Sequence, residues 1–279
     1  MMSPRPQIIL AFVVSLALVI LASSFTHLHA QSDPTSDILA QHPPLSSLVF
    51  NQPSTPPDKG APGQQSDSGT RGPCDSEEES LTATELVALI PAIEKPTSAN
   101  SAISLPETNV WGLTAAEHPT FWFYIPETAT LAKEAKLVLE DEENYRSDFR
   151  FTLPKVRGIV SLSIPSTQPP LEISKQYHWS LKIYCNPQKS PSPNFVVDGW
   201  IQRVELNPAL ENQLKVATSQ EKIILYAQQG IWFETLTELA NLHRTPSEDS
   251  NKAWADLLSF IGWAKLTEQP IVSCCTLEK

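Results

Sequence analysis

The stretch Tyr177-His-Trp-Ser-Leu-Lys-Ile-Tyr-Cys185 alternates between two kinds of side chain from Tyr177 to Ile183. Its odd-numbered residues, except for the cysteine at its end, are large and apolar or aromatic, whereas His178, Ser180 and Lys182 are polar. Successive side chains of a β-strand point to opposite faces, so this period of two predicts a strand with one buried face. Cys185 shares the parity of the buried side, which suits a buried disulfide.

Further segments between Thr120 and Leu206 have the same character. Val160, Leu162 and Ile164 alternate with serines, and three more apolar segments read as strands: 137–139, 149–152 and 195–205. Clusters of Pro, Asn, Asp and Ser separate these segments, and no helical pattern lies between them. Short strands in this arrangement predict an antiparallel, Ig-like β-sandwich.

Beyond Leu206 the pattern becomes helical. Asn207-Pro208 is typical of a cap followed by proline at the first helical position, and Thr218 to Glu221 and Thr245 to Glu248 both have the capping-box spacing. The predicted fold class is therefore α+β, with the sandwich followed by a C-terminal α-helical hairpin or cap. The predicted boundaries are 81–206 for the sandwich and 207–279 for the helical region packed on it.

Four adjacent aromatic residues stand between prolines in Pro119-Thr-Phe-Trp-Phe-Tyr-Ile-Pro126. Strand parity places Phe121 and Phe123 on the core side, and it places Trp122 and Tyr124 on the opposite side. Asp198-Gly-Trp200 sets a carboxylate beside another indole. Trp122, Tyr124, Asp198 and Trp200 are thus the candidate binding surface if solvent reaches them, and an interface between sandwich and helices if it does not.

The N-terminal region predicts export. Residues 1–30 carry Arg5 ahead of an apolar run and end at the small residue Ala30, which is the order of a secretory signal peptide. An uncleaved anchor is the alternative reading. Residues 31–80 are rich in Pro, Ser, Gln, Asp and Gly, and such a composition predicts a disordered linker.

Four cysteines, Cys74, Cys185, Cys274 and Cys275, are candidates for two disulfides in an exported chain. A bond between the adjacent Cys274 and Cys275 lies far from ordinary disulfide spacing. The favoured arrangement therefore joins Cys185 to one residue of the C-terminal pair and Cys74 to the other.

The remaining composition excludes several functions. The net charge of −11 and the lack of a basic stripe argue against nucleic acid as a partner. Nine scattered glycines and the absence of G-x-S-x-G argue against phosphate-binding loops and serine hydrolases. We predict no cofactor, no metal site and no catalytic residue; His178 has no evident partner, and the acids at 140–143 read as a solvated turn.

Several separated motifs carry a family resemblance. They are residues 119–126, Gly158 to Pro165, Tyr177-His-Trp179, Gly199-Trp200-Ile201, Tyr226 with Gly230-Ile231-Trp232, and Cys274-Cys275. From about Arg71 to the C-terminus, the chain resembles a cyanobacterial domain-of-unknown-function family, number 928. The resemblance implies an exported protein with a signal peptide and supplies no activity, ligand or catalytic residue.

Two hypotheses about function follow. The first is a non-enzymatic protein of the periplasm or cell envelope that binds an unknown protein or saccharide partner, with membrane contact only through an uncleaved N-terminal segment. The second is a periplasmic hydrolase whose carboxylates converge only in the fold. The lack of catalytic motifs in the sequence favours the first hypothesis.

Overall fold

The computed structural model describes residues 43–54, 63–69, 74, 85–94, 108–143 and 145–277. The predicted signal segment, 1–30, lies outside these ranges. The strands in the described ranges are β1 (Ser66–Asp67), β2 (Leu86–Ala88), β3 (Ala92–Glu94), β4 (Thr108–Thr114), β5 (Thr120–Ile125), β6 (Glu134–Glu140), β7 (Arg146–Thr152), β8 (Gly158–Ser163), β9 (Gln176–Tyr184), β10 (Phe195–Arg203) and β11 (Thr276–Leu277).

These strands form two sheets. The smaller has the order β1-β2-β5-β8, and the larger has the order β11-β7-β6-β9-β10-β4-β3. Neighbouring strands are antiparallel except β10 and β4, which are parallel. The opening stretch lies in β9, near the middle of the larger sheet. The α+β, sandwich-like prediction is confirmed.

The two sheets meet through aromatic side chains. The rings of Phe121 and Phe123 in β5 lie 5.7 and 5.9 Å from the ring of Trp179 in β9. Leu181 and Ile183, which follow Trp179 on the same face of β9, are fully buried. The face of β9 that the alternation predicts to be buried is therefore the face that packs between the two sheets.

Four α-helices lie between β10 and β11 in the described part of the chain. They are α1 (Pro208–Val216), α2 (Ser219–Gln228), α3 (Trp232–His243) and α4 (Glu248–Phe260). Asn207 caps α1, and Thr218 and Glu221 form the predicted capping box of α2. The predicted box at Thr245 to Glu248 is wrong, because Ser247 caps α4 and pairs with Ser250 instead.

Helix α3 joins the helices to the smaller sheet. The ring of Phe233 lies 5.1 Å from that of Phe121, edge to face. Trp232 Nε1 donates a hydrogen bond to the Leu89 carbonyl, which follows β2. Trp254 of α4 is also fully buried. The helical region thus packs on the sandwich through large apolar side chains, which is how such elements bury their apolar faces.

Two segments of the predicted 31–80 linker are packed, which corrects that prediction for the residues concerned. Leu45 and Phe50 are buried in the core, and the Asn51 amide donates to the Ala227 carbonyl. Residues 66–67 form β1, where the buried Asp67 accepts a hydrogen bond from the Val196 amide at 2.7 Å. Isolated apolar residues in a polar segment anchor it to the domain, and composition alone does not reveal such anchors.

Candidate functional site

The predicted binding surface divides into a buried half and an accessible half. Trp122 is 4% exposed and Tyr124 is 1% exposed. Trp122 Nε1 donates to Thr237 Oγ1 of α3 at 3.0 Å, and burial raises the pKa of Tyr124. Helix α3 therefore covers Trp122, and neither aromatic residue is open to a ligand. As a ligand surface, this half of the prediction is wrong.

Asp198 and Trp200 lie on the outer face of the larger sheet, and both are partly exposed. Trp200 on β10 stands opposite His178 on β9, and His178 stands opposite Glu140 on β6. The rings of His178 and Trp200 are 5.0 Å apart and inclined at 49°. Three neighbouring strands thus place an indole, an imidazole and a carboxylate in one row across the sheet.

His178 lies between two carboxylates. Its Nε2 is 2.8 Å from Asp198 Oδ2, and its Nδ1 is 3.4 Å from Glu140 Oε1. The hydrogen bond with Asp198 raises the pKa of His178 most strongly, burial opposes this shift, and Glu140 adds to it. The His178 ring therefore lies between Asp198 and Glu140, and both carboxylates favour its protonated form. Sequence reasoning missed this cluster because its members come from three strands.

The raised pKa of His178 gives stability a defined pH dependence. The contribution of the bridging imidazolium is fully present below the ordinary pKa of about 6.5 and is lost as pH rises through the raised value. We expect His178→Gln to lower the free energy of unfolding by about 1–2 kcal/mol at pH 5.5 and by less at pH 9, measured by urea denaturation.

His243→Gln supplies a control of opposite sign. Burial lowers the pKa of His243, so this residue destabilises the fold as pH falls below its ordinary pKa of about 6.5. His243→Gln is therefore expected to change the free energy of unfolding more favourably at pH 5.5 than at pH 9. Equal losses for His178→Gln at both pH values would contradict the bridging imidazolium.

A cavity of about 160 Å³ adjoins Trp200. Its walls include Trp200, Asp141, Glu143, Ser174, Lys175 and Gln176. The Lys175 ammonium pairs with Asp141, Glu143 and Glu172 at 2.8, 2.9 and 3.1 Å, and these acids raise its pKa. Asp141 also accepts hydrogen bonds from the backbone amides of Glu143 and Tyr145, so the predicted turn at 140–143 is a structured wall of this cavity.

Ion pairs cover the outer face beside this site. Arg146 pairs with Glu140 and Asp148, and Lys136 pairs with Asp148, at 3.1, 3.3 and 3.7 Å. Val138 lies on the same face of β6 between Lys136 and Glu140 and is buried nevertheless. The long charged side chains shield it from water, and pairs this exposed contribute little individually to stability.

The cysteine pairing differs from the favoured prediction. Cys74 and Cys185 are bonded, with their Cα atoms 4.9 Å apart, and the adjacent Cys274 and Cys275 are bonded to each other. Cys185 directly follows β9, whereas Cys275 directly precedes β11, and β6 and β7 lie between those two strands. Three strand spacings amount to about 14 Å, which is beyond the reach of a disulfide.

The partly buried carboxylate of Glu234 was not predicted from the sequence. Glu234 of α3 accepts hydrogen bonds from Thr114 Oγ1 at 2.7 Å and from the amides of Ala115 and Ala116 at 3.1 Å. Burial raises the pKa of Glu234 against the opposing effect of these donors. The arrangement ties the first turn of α3 to the end of β4. We assign it a structural role, because its hydrogen-bonding groups are all occupied by the protein.

Two further features, a metal-binding cluster and a membrane-spanning helix, are absent from the described residues. Within the described ranges, no group of three or more His, Cys, Asp or Glu side chains is placed to hold a metal ion. Among the helices of the described residues, none combines the length and apolarity needed to cross a membrane.

The family match covers β1 to β10 and all four helices. A family model described as Domain of Unknown Function (DUF928) matches residues 66–271. The chain belongs to this family. The DUF928 range begins at β1 and ends at Ile271, which bridges to Ile159 of β8, so it contains the Trp200 cavity and the His178 cluster. No curated protein and no solved structure matches the chain.

Proposed function

We propose that this DUF928 protein is a non-enzymatic saccharide-binding module of the cell envelope. The observation that carries the proposal is the partly exposed indole of Trp200, which forms a wall of a cavity beside Asp198 and His178. An aromatic ring offers an apolar face to the C–H side of a sugar ring, and neighbouring polar groups can hydrogen-bond its hydroxyls.

The charges around Trp200 favour a neutral or cationic sugar. Asp141, Glu143, Glu140 and Asp198 outnumber Lys175 and His178, and Lys175 is already paired with acids. An anionic saccharide would meet an excess of like charge here, which opposes binding. An amino-sugar oligomer brings ammonium groups and hydroxyls, both of which carboxylates can accept as hydrogen-bond donors.

Titration calorimetry with three oligosaccharides tests this proposal. We expect binding of a glucosamine oligomer, weaker binding of a cello-oligomer and no binding of an oligogalacturonate. Trp200→Ala is expected to weaken binding about tenfold, since a lost aromatic contact is worth about 1–1.5 kcal/mol, whereas Trp200→Phe keeps a ring and most of the affinity.

Val216→Ala is the matched control, because Val216 is 82% exposed on α1, outside both the Trp200 cavity and the His178 cluster. Unchanged affinity in Trp200→Ala, or preferential binding of the anionic oligomer, would rule out the proposed site.

The location outside the cytosol is a separate part of the proposal. The Cys74–Cys185 disulfide is typical of proteins in oxidising compartments, and residues 1–30 have the order of a signal peptide. Fractionation of the native cells, followed by N-terminal sequencing of the purified chain, tests export and cleavage after Ala30 together.

The hydrolase hypothesis has one observation in its favour, namely that Glu140 and Asp198 converge in space. However, both acids are engaged by His178, and Glu140 also pairs with Arg146, so neither is a free carboxylate that could activate a water molecule. We therefore expect no product from the same oligosaccharides after prolonged incubation. Turnover that is lost in Asp198→Asn would replace the binding proposal with the hydrolytic one.

A further inference from the structure

Residues 270–272 extend the smaller sheet at its β8 edge. The Ile159 amide donates to the Pro270 carbonyl, and the Val272 amide donates to the Ile159 carbonyl, both at 2.8 Å. In such a parallel bridge, the residue between the two bonded neighbours turns its own N–H and C=O away from the partner strand. Ile271 is that residue, and neither of its backbone groups has a backbone partner among the described residues.

A groove of about 780 Å³ runs along this edge. One wall is the segment from Thr267 to Ile271, and the other is formed by the turn after α3 and by the first half of α4. Pro246, Ala255 and Ile271 provide apolar surface within it. The groove therefore combines an unpaired strand edge with shallow apolar contacts, as sites that accept an additional strand do.

The charge of the groove is opposite to that of the chain. Arg244 and Lys252 line it with Glu268 as the one acidic lining residue, whereas the whole chain carries a net charge of −11. Lys252 pairs with Asp256 on the exposed surface of α4, and Arg244 has no ion-pair partner within the described residues. An exposed guanidinium beside an open strand edge favours an acidic occupant.

We propose that the groove binds an extended, acidic peptide segment of a partner protein, which adds as a strand along Ile271. The peptide backbone would pair with the N–H and C=O of Ile271. Its alternate side chains would point toward Arg244 and Lys252, where carboxylates are complementary. This site is independent of the saccharide site at Trp200, because the two lie on different sheets of the sandwich.

Fluorescence anisotropy with labelled octapeptides tests the proposal on the full chain. The probe alternates valine and glutamate; one comparison peptide replaces every glutamate with lysine, and another is N-methylated at alternate backbone nitrogens. We expect the acidic probe to bind with a Kd below about 1 mM and both comparison peptides to bind at least about tenfold more weakly.

Variants of the protein separate charge from fold. Arg244→Gln combined with Lys252→Gln is expected to weaken binding of the acidic probe about fivefold, with a smaller loss at high salt. Lys189→Gln, on the exposed turn between β9 and β10, is the matched control and should not change the affinity. Trp200→Ala should leave peptide binding intact, so failure of the saccharide proposal is distinguishable from failure of this one.

Three results would overturn the inference. They are equal binding of the lysine peptide, undiminished binding of the N-methylated peptide, and no binding of the acidic probe at about 1 mM. Light scattering on the unlabelled chain could give a fourth contrary result. Self-association that is lost in the Arg244 and Lys252 double variant would identify a second copy of the chain as the occupant of the groove.

Discussion

Replacing Cys74 and Cys185 together by serine is expected to lower the free energy of unfolding by about 4–5 kcal/mol. The two cysteines are separated by 111 positions in the sequence, so their bond closes a loop that spans β2 to β9. A long closed loop removes more conformational freedom from the unfolded chain than a short one does. The native contacts around the bond are expected to persist in the variant.

Urea denaturation of the oxidised protein and the variant measures this difference. The second disulfide is the matched control: Cys274 and Cys275 are adjacent, so joining them closes almost no loop. Replacing both by serine is expected to cost less than about 1 kcal/mol by the same loop argument. A loss of equal size for the two double variants would show that loop closure does not explain the effect of the Cys74–Cys185 bond.

Local patterns predicted the elements that depend on local physics. The alternation in β9 and the cap at Asn207 each arise within a few neighbouring residues, and both were read correctly. Gly230, whose φ is 70°, comes two positions after the last residue of α2, where a left-handed residue commonly ends a helix. Such signals can be recognised in the sequence because periodicity and capping act over short stretches of chain.

Pairings between distant segments could not be predicted in the same way. The order of strands in the larger sheet decides the cysteine pairing. Two strands separate β9 from β11, so Cys185 lies too far from the C-terminal pair and is bonded to Cys74 instead. The assignment of 66–67 to β1 likewise depends on antiparallel pairing with Leu86 and Val87. The segment around Cys74 and residues 66–67 carry no strong sequence pattern of their own, so tertiary contacts decide how they pair.

The candidate site shows the same division. Asp198 and Trp200 were selected because a carboxylate and an indole stand close in the sequence, and both are accessible. Trp122 has the same chemistry but lies under α3, because strand parity specifies a face of the sheet and not what covers it. The sequence shows no partner for His178, because its partners Glu140 and Asp198 lie on the neighbouring strands.

Trp232 links the helices to the smaller sheet and to residues 43–54, so replacing it is expected to cause a large loss of stability. Trp232 is 1% exposed, and its Nε1 donates to the Leu89 carbonyl at 2.9 Å. Its ring meets that of Phe50 edge to face at 5.0 Å. Trp232→Ala is expected to lower the free energy of unfolding by about 3–5 kcal/mol, because it leaves a large cavity and removes the donor to a buried carbonyl.

Trp232→Phe separates these contributions. Phenylalanine retains a ring against Phe50 but cannot donate to Leu89, so we expect a smaller loss of about 1–3 kcal/mol in urea denaturation. Hydrogen exchange gives a local measurement, because the Asn51 amide donates to Ala227 beside this contact and should lose protection in Trp232→Ala before global unfolding. Full protection of Asn51 in Trp232→Ala would mean that Trp232 does not hold residues 43–54 against the helices, and another contact would have to anchor that segment.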